Sequence, residues 1–521
     1  MKAFLLFRDH DFDFGQTPPW SKKTLIPDLA LDTLFSAMAN RDEFLRSVAG
    51  SVVLGSLDNE LDTILYRQGI LKDCLKNPEI ARGLYTLARE GTQCERKGSW
   101  VFASKYPAGI LSRGIEVLNY LIEVLRKLRS ASEQYGAKFE SEGFRNLFAM
   151  LEAELTDEYF ANIKAHLKEM KFRAGVLISA QLGKGNKGIN YVLRKPRTRQ
   201  HWLISWLQQY FGIRESGYTF VLDPRDENGA RALSEMNDRG INLVANALAQ
   251  STDHILDFFK ILTAELAFYI GCLNLREQLA KKREPICWPE PLPATERKHS
   301  FRELYDVCLS LCLRQRAIGN DVNADEKDLI IITGANQGGK STFLRSVGLA
   351  QLMMQAGMFV PAESFSANVC PSVFTHFKRE EDASMNSGKF DEELTRMSEI
   401  AEHLLPNSML LFNESFAATN EREGSEIARQ IVSALLEKGY KIFFVSHQYT
   451  FASGFHAKRQ KNTLFLRAER ESDGTRTFKL VEAEPLETSY GEDLYNQIFG
   501  EPSGLEHSSS ASERCSQTIP N

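Results

Sequence analysis

Residues 334–342, Gly-Ala-Asn-Gln-Gly-Gly-Lys-Ser-Thr, constrain this chain more than any other stretch. They carry the spacing of a phosphate-binding loop: Gly334, four residues, Gly339, Lys340, Ser341. The preceding Leu-Ile-Ile-Ile run, 329–332, is apolar and β-branched, as a buried parallel strand is. Residues 343–356 place apolar side chains at helical spacing and contain no proline. The loop therefore falls between a strand and a helix. Its glycines let the backbone wrap an anion, and free N–H groups at the helix start face it. Lys340 has the reach for β- and γ-phosphates, and the Ser341 hydroxyl suits Mg²⁺. The expected ligand is a nucleoside triphosphate with Mg²⁺, held by Gly334, Asn336, Gly338, Gly339, Lys340, Ser341 and Thr342.

Two later stretches add to this site. Residues 408–412 form an apolar strand that runs into Asn413-Glu414. A carboxylate at that strand end orients or activates an attacking water. Such sites usually carry Asp where this chain has Asn413, and a neutral amide oxygen holds a hard cation less well. Weakened Mg²⁺ binding and slower hydrolysis are expected, with ATP binding kept. Residues 441–446 form another apolar strand, which ends in Ser446-His447. In a parallel sheet these polar strand ends share one edge, so His447 is a candidate γ-phosphate sensor beside Glu414 and Lys340. Before a helix expected over 391–404, Asn386-Ser387-Gly388-Lys389-Phe390 suits either an anion contact or an ordinary helix cap.

The rest of the chain, 521 residues in all, is long enough for two to four domains. Residues 1–30 read as an irregular arm with three prolines; its Asp9, His10, Asp11 and Asp13 suit an exposed acidic turn better than a metal site. Residues 31–283 form a helical core or lever, with charged-faced helical patterns at 114–128, 144–172 and 230–279 and helical character through about residue 180. Residues 183–188 match Gly-x-Gly-x-x-Gly, but a strand and then Pro196 follow, which is the wrong context for a dinucleotide site. Between 184 and 199 stand Lys184, Lys187, Arg194, Lys195, Arg197 and Arg199 with no acid. This stretch suits DNA phosphates, or a solvated basic loop beside an acidic neighbour. A net charge of −5 argues against a wholly basic nucleic-acid coat protein but not against a local basic groove.

Four prolines between 284 and 296 mark a connector, and 300–316 reads as a helix, so 284–317 joins the two halves. Residues 318–502 alternate strands and helices, with strands at 329–333, 408–412 and 441–446. A hairpin at 463–470 and 475–482 turns at Ser472-Asp473-Gly474. Residues 503–521 are Ser-rich and polar, with disorder expected. The eight cysteines form no CxxC pair and read as buried thiols of a reducing compartment, Cys308 and Cys312 included. With no 18-residue apolar run and too short an N-terminal one for a signal peptide, the expectation is a cytoplasmic protein without membrane contact.

The ATPase half resembles that of the MutS family of DNA mismatch repair proteins. The resemblance rests on the loop 333–342, where the family has Pro and Met at the positions of Ala335 and Gln337, and on Gly357-Met358-Phe359-Val360-Pro361-Ala362. Ser387-Gly388-Lys389-Phe390, Asn413-Glu414, Glu423-Gly424, Ser446-His447 and Ser489-Tyr490-Gly491 also match family segments. Residues 61–68 and Asn77-Pro78-Glu79 carry a weaker likeness in the helical half. The resemblance implies an α-helical core and lever followed by an α/β P-loop ATPase domain of ABC type. It also implies a homodimer in which Ser387 reaches the partner's γ-phosphate, and DNA as the partner. The family's mismatch reader is Phe-x-Glu near the N-terminus; here that pattern occurs only at 301–303, 390–392, 412–414 and 499–501. The expectation is therefore a short member without the mismatch-reading domain, binding duplex, mismatched or branched DNA by structure and not by sequence. An ATP-binding scaffold with little hydrolysis and non-DNA partners is the alternative.

Overall fold

A computed structural model of the chain describes residues 1–15, 17–57, 59–97, 106–173, 175–194, 221–379, 388–471 and 474–487. Its first half is helical. Helices α1 (Lys22–Asp28), α2 (Leu31–Ala39), α3 (Glu43–Leu54), α4 (Leu61–Lys76), α5 (Pro78–Lys97), α6 (Pro107–Tyr135), α7 (Glu142–Glu154) and α8 (Asp157–Glu169) lead to a hairpin, β1 (Leu177–Leu182) and β2 (Gly188–Arg194). The long helix α9 (Glu227–Lys281) follows. Local chemistry sets the helix starts. Asp42, Thr156 and Asp226 accept from the free N–H groups that open α3, α8 and α9. Pro107 opens α6, where its missing N–H costs nothing. The helical expectation to residue 180 overran β1, whose Leu177 and Leu182 are exposed, so apolar content there does not report a helix face.

Helix α9 has 55 residues, about 82 Å at 1.5 Å per residue. Between Ile255 and Leu279 it is buried on nearly every side, packed against α2, α3, α5 and α6. A helix apolar all round belongs at the centre of a bundle. Close packing there needs small residues: a Cβ on Gly91 of α5 would lie 2.4 Å from the Phe259 ring. Residues 1–15 are stitched to this bundle. Leu5 and Leu6 are fully buried. The Leu5 and Phe12 amides donate to the Glu265 carboxylate of α9 at 2.6 and 3.1 Å, and Arg67 of α4 donates to Leu6 O at 2.8 Å.

The second half begins with β3 (Glu290–Leu292), β4 (His299–Leu304), α10 (Val307–Cys312) and β5 (Asn320–Asn323). It continues through β6 (Leu329–Gly334), α11 (Lys340–Gln355), β7 (Ser364–Asn368), β8 (Val373–Phe377), α12 (Lys389–His403), β9 (Met409–Asn413) and α13 (Glu421–Glu437). It closes with β10 (Lys441–Val445), α14 (Tyr449–Ala457), β11 (Thr463–Arg470) and β12 (Arg476–Glu482). Six strands form a sheet in the order β12-β11-β6-β10-β9-β8, parallel except for the antiparallel edge strand β12. Strands β6, β9 and β10 are almost wholly buried, which explains their unbroken apolar runs.

A second sheet, β3-β7-β4-β5, corrects the helix expected over 300–316. Phe301, Leu304, Tyr305 and Cys308 have helical spacing, but 299–304 is a strand whose alternate residues His299 and Phe301 are buried. It pairs antiparallel with β7 and β5, and its register shifts between Phe301 and Leu304, where Glu303 has φ +49°. Only 307–312 is helical. The cysteine expectation is also corrected: Cys308 is buried, whereas Cys312, past the packed face of that short helix, is exposed and Cys287 is half-buried. Among the described residues, no helix is long and apolar enough to cross a membrane.

Several contacts join the halves, among them hydrogen bonds from Asn59 to Gln355 O and from Gln355 to Leu57 O. Gly357, at φ +77° after α11, lies so close to α4 that a Cβ would sit 2.5 Å from Arg67 Cβ. Lys282, just past α9, donates to the carbonyls of Ser310, Leu311 and Leu313. Asp306, which caps α10, pairs with Arg345 on α11.

Candidate nucleotide site

Strands β6, β9 and β10 run parallel and end at one edge of the large sheet, so the residues following them converge. The turn after β6 needs left-handed backbone at Gly334 (φ +108°) and Gly339 (φ +87°). At Gly334 a Cβ would also meet Ala468 N at 2.8 Å. Gly339 is the N-cap of α11, so the first amides of that helix open toward the loop. Lys340 is 5% exposed, and its Nζ donates to Gly334 O (3.0 Å) and Ala335 O (2.7 Å). Burial lowers its pKa to about 8, against the pull of Glu414. The ammonium thus rests on the loop's own carbonyls, ready to exchange them for phosphate oxygens.

Ser341 Oγ donates to Asn413 Oδ1 at 2.9 Å, so the two expected metal contacts do meet. Both are oxygen donors, as Mg²⁺ requires, and both are neutral, so the phosphates would carry the opposing charge. Glu414 lies one residue past β9 at φ +54°. Its Oε1 is 2.7 Å from His447 Nε2, and each side chain is 30% exposed. The His447 hydrogen bond holds the Glu414 carboxyl below its ordinary pKa, overcoming the opposing effect of burial. A carboxylate at the mouth of the site, kept ionised and aimed by an imidazole, can receive a proton from water.

Lys340, Ser341, Glu414 and His447 line one cavity of ≈ 590 Å³, and Asn413 meets it through Ser341. Its polar end holds Asn336, Gly338, Gly339, Lys340, Ser341, Thr342, Glu414 and His447. Beyond them the cavity is lined by Leu304, Tyr305, Leu309, Leu313, Ile318 and Phe478, interspersed with Asp306, Gln315, Arg316 and Asn320. An anion cradle joined to a largely apolar slot with a few polar groups suits a nucleotide, with phosphates in the cradle and the base in the slot. Sequence reading missed that slot. Phe478 arrives from β12 by strand pairing, and Arg476 of the same strand donates to Asn336 O at 3.3 Å; neither has a local motif to mark it.

Of the remaining candidates, Ser387 lies outside the described residues, and Gly388 is the N-cap of α12. Lys195, Arg197 and Arg199 also lie outside them, as do 489–491, 503–521 and the turn residues Ser472 and Asp473. Lys184, Lys187 and Arg194 are exposed on the β1–β2 hairpin, remote in sequence from the nucleotide residues, and Arg194 Nε donates to Ser179 Oγ at 2.9 Å. Near the N-terminus, Asp9 pairs with His10, and Asp11 with Lys2.

Comparison with known proteins fits this geometry. A model of MutS domain V matches residues 330–505, which contain every residue of the cavity's polar end. A model of the MutS2 N-terminal domain matches residues 59–282, the helical half from α4 to the end of α9. The chain belongs to the MutS family. This MutS-family chain is 28% identical over 222 residues to the DNA mismatch repair protein MutS of Methanosarcina mazei, covering 42% of this chain and 25% of that protein. It is 27% identical over 244 residues to Endonuclease MutS2 of Ligilactobacillus salivarius, covering 44% and 29%. Over 180 residues it is 33% identical to the DNA mismatch repair protein MutS of Thermotoga maritima, covering 34% and 22%. The matched part thus spans less than a third of each of these relatives' length.

Proposed function

We propose that this MutS-family chain is an ATPase whose nucleotide cycle gates a dimeric grip on DNA. The observation that carries the reading is the convergence of Lys340, Ser341, Glu414 and His447 on one cavity, with Asn413 hydrogen-bonded to Ser341. Phosphates bind the loop amides and draw Lys340 from the carbonyls of Gly334 and Ala335. Glu414 orients the attacking water and takes its proton, and His447 holds the carboxylate in place. Mg²⁺, held through Ser341 and Asn413, would neutralise charge on the β- and γ-phosphates. Because neither donor is charged, Mg²⁺ is held weakly and hydrolysis is slow.

The site takes its partner-side contact from the Ser387 segment of a second copy, so closure requires a homodimer. Duplex, mismatched or branched DNA is the partner, gripped through phosphate contacts by the basic residues 184–199. The relatives named for DNA mismatch repair support this choice of partner. Asn413 favours a second reading: an ATP-binding scaffold that scarcely turns over.

Phosphate release, with and without duplex, mismatched and branched DNA, separates the two. The ATPase reading expects release that DNA alters, and a Glu414→Gln variant that keeps ATP binding and loses on the order of 10²-fold in kcat. ATP bound with no release by the parent chain would leave only the scaffold. Release by Glu414→Gln at the parent rate would remove Glu414 as the base.

A further inference from the structure

One buried histidine is tied to Glu414 and has no part in the scheme above. His376 lies on β8, 1% exposed, opposite Phe412 in the β8–β9 pairing. Its Nε2 is 3.0 Å from Glu393 O on α12, and its Nδ1 is 2.7 Å from Ser415 Oγ. A carbonyl only accepts, so Nε2 carries the proton, and the single Ser415 O–H, donated to His376 O, is shared with the bare Nδ1. The Phe416 ring stacks on the imidazole, with centroids 5.1 Å apart and planes at 19°. His376 therefore grips both residues that follow Glu414 and holds them to α12.

The grip matters because this backbone is strained. Glu414 and Phe416 both have left-handed φ, +54° and +61°, a conformation that costs an L-residue about 1 kcal/mol or more. Neither is a glycine or asparagine, so tertiary contacts hold them there. Those contacts include the Glu414 amide on Val445 O (2.9 Å), the Gln448 side-chain amide on Phe416 O (3.2 Å), the Phe416 backbone amide on the Glu393 carboxylate and the His376 grip between them. Loss of that grip frees the turn to relax, and the Glu414 carboxylate moves with it.

We propose that His376 is a positioning residue for Glu414. It acts through Ser415 to fix the carboxylate, and through Glu393 O it makes the position of α12 felt at the reacting end of the site. This inference rests on the ATPase reading. His376 does not line the nucleotide cavity, so its loss is read in kcat and not in nucleotide binding.

The test compares His376→Ala, His376→Asn, His376→Gln and Ser415→Ala in the full chain, with kcat and KM from phosphate release and Kd for a fluorescent ATP analogue. Asn places an amide oxygen where Nδ1 stands and keeps the Ser415 bond. Gln places an amide nitrogen where Nε2 stands and keeps only the α12 bond. Expected are a kcat loss on the order of tenfold in His376→Ala and Ser415→Ala, with KM and Kd within about twofold. Asn should recover most of that loss and Gln little of it. Ser415→Ala removes one buried hydroxyl without changing shape, which keeps the test decisive if the His376 variants fold poorly. Parent-level kcat in both Ser415→Ala and His376→Ala would overturn the inference alone, as would equal recovery by Asn and Gln. Absence of release from the parent chain would overturn the ATPase reading, and this one with it.

Discussion

The Glu265→Gln substitution measures how the N-terminal segment is held to α9. Glu265 has no measurable solvent exposure, and burial raises its pKa from the ordinary 4.5 to about 7. The amides of Leu5 and Phe12 oppose that rise, and the Asp11 charge adds to it. Arg67, Tyr66 and Tyr269 are the other titratable groups that sense this carboxyl. Below pH 4.5 the carboxyl is protonated in folded and unfolded chains alike and contributes no difference. Between 4.5 and 7 the unfolded chain ionises and the folded chain keeps its proton, so stability is lost as pH rises. At 1.36 kcal/mol per pKa unit the full loss is about 3 kcal/mol, roughly 2 to 3 of it between pH 5 and 8. Gln cannot titrate. It presents an NH₂ to an amide that the carboxylate had accepted from, at a cost of about 1 kcal/mol that does not vary with pH. The informative quantity is therefore the parent-minus-Gln difference as a function of pH, from urea unfolding followed by circular dichroism. The parent should lose ground steadily from pH 5 to 8. A flat difference would refute the buried, proton-holding carboxyl. A parent that gains on Gln as pH rises would show that the Leu5 and Phe12 amides outweigh burial.

Other substitutions probe the site and the bundle. Asn413→Asp should lower the Mg²⁺ concentration at half-maximal phosphate release, because Ser341 would then share the cation with a charged oxygen; an unchanged midpoint would separate Asn413 from the metal. Gly91→Ala should destabilise the helical half by about 1–3 kcal/mol, despite the better helix former, because its Cβ overlaps the buried Phe259 ring; a chain as stable as the parent in urea would refute that crowding. Replacing Lys184, Lys187 and Arg194 together with Ala should reduce the slope of log K against log salt for duplex DNA by about 0.9 per cation that contacts phosphate. An unchanged slope would move the DNA contact away from the hairpin.

Legibility in the sequence followed how local each signal is. Strands β6, β9 and β10 stand out because a parallel strand covered on both faces must be apolar throughout. Their polar successors, Lys340, Ser341, Asn413, Glu414 and His447, meet because parallel strands put their ends at one edge. The small sheet was not legible. Its strands run three to six residues, and Phe301 and Leu304 of β4 fall at helical spacing with Cys308 beyond it. What makes it a strand is its pairing with β7, more than sixty residues later. The cavity's apolar wall was hidden for the same reason: Phe478 reaches the loop only because β12 closes the sheet edge. His376 gives no signal either, since its partners Ser415 and Glu393 lie 39 and 17 residues away.

The grip of Lys282 on α10 gives the length of α9 a geometric meaning. Leu309, within α10, and Leu313, just beyond it, form part of the wall around the nucleotide cavity, and Lys282 bonds the carbonyls of Ser310, Leu311 and Leu313 at the end of α9. A displacement of that wall by a bound base would therefore act on the last residues of a rod about 82 Å long. A tilt of about 5° there carries Glu227 at the far end through roughly 7 Å, the spacing of two stacked base pairs. Ile178 of the hairpin packs on Gly240, part-way along the rod, and travels a proportionate share of that arc. Under the proposed function, angular gain of this kind would turn small changes around a nucleotide into displacements on the scale of the double helix.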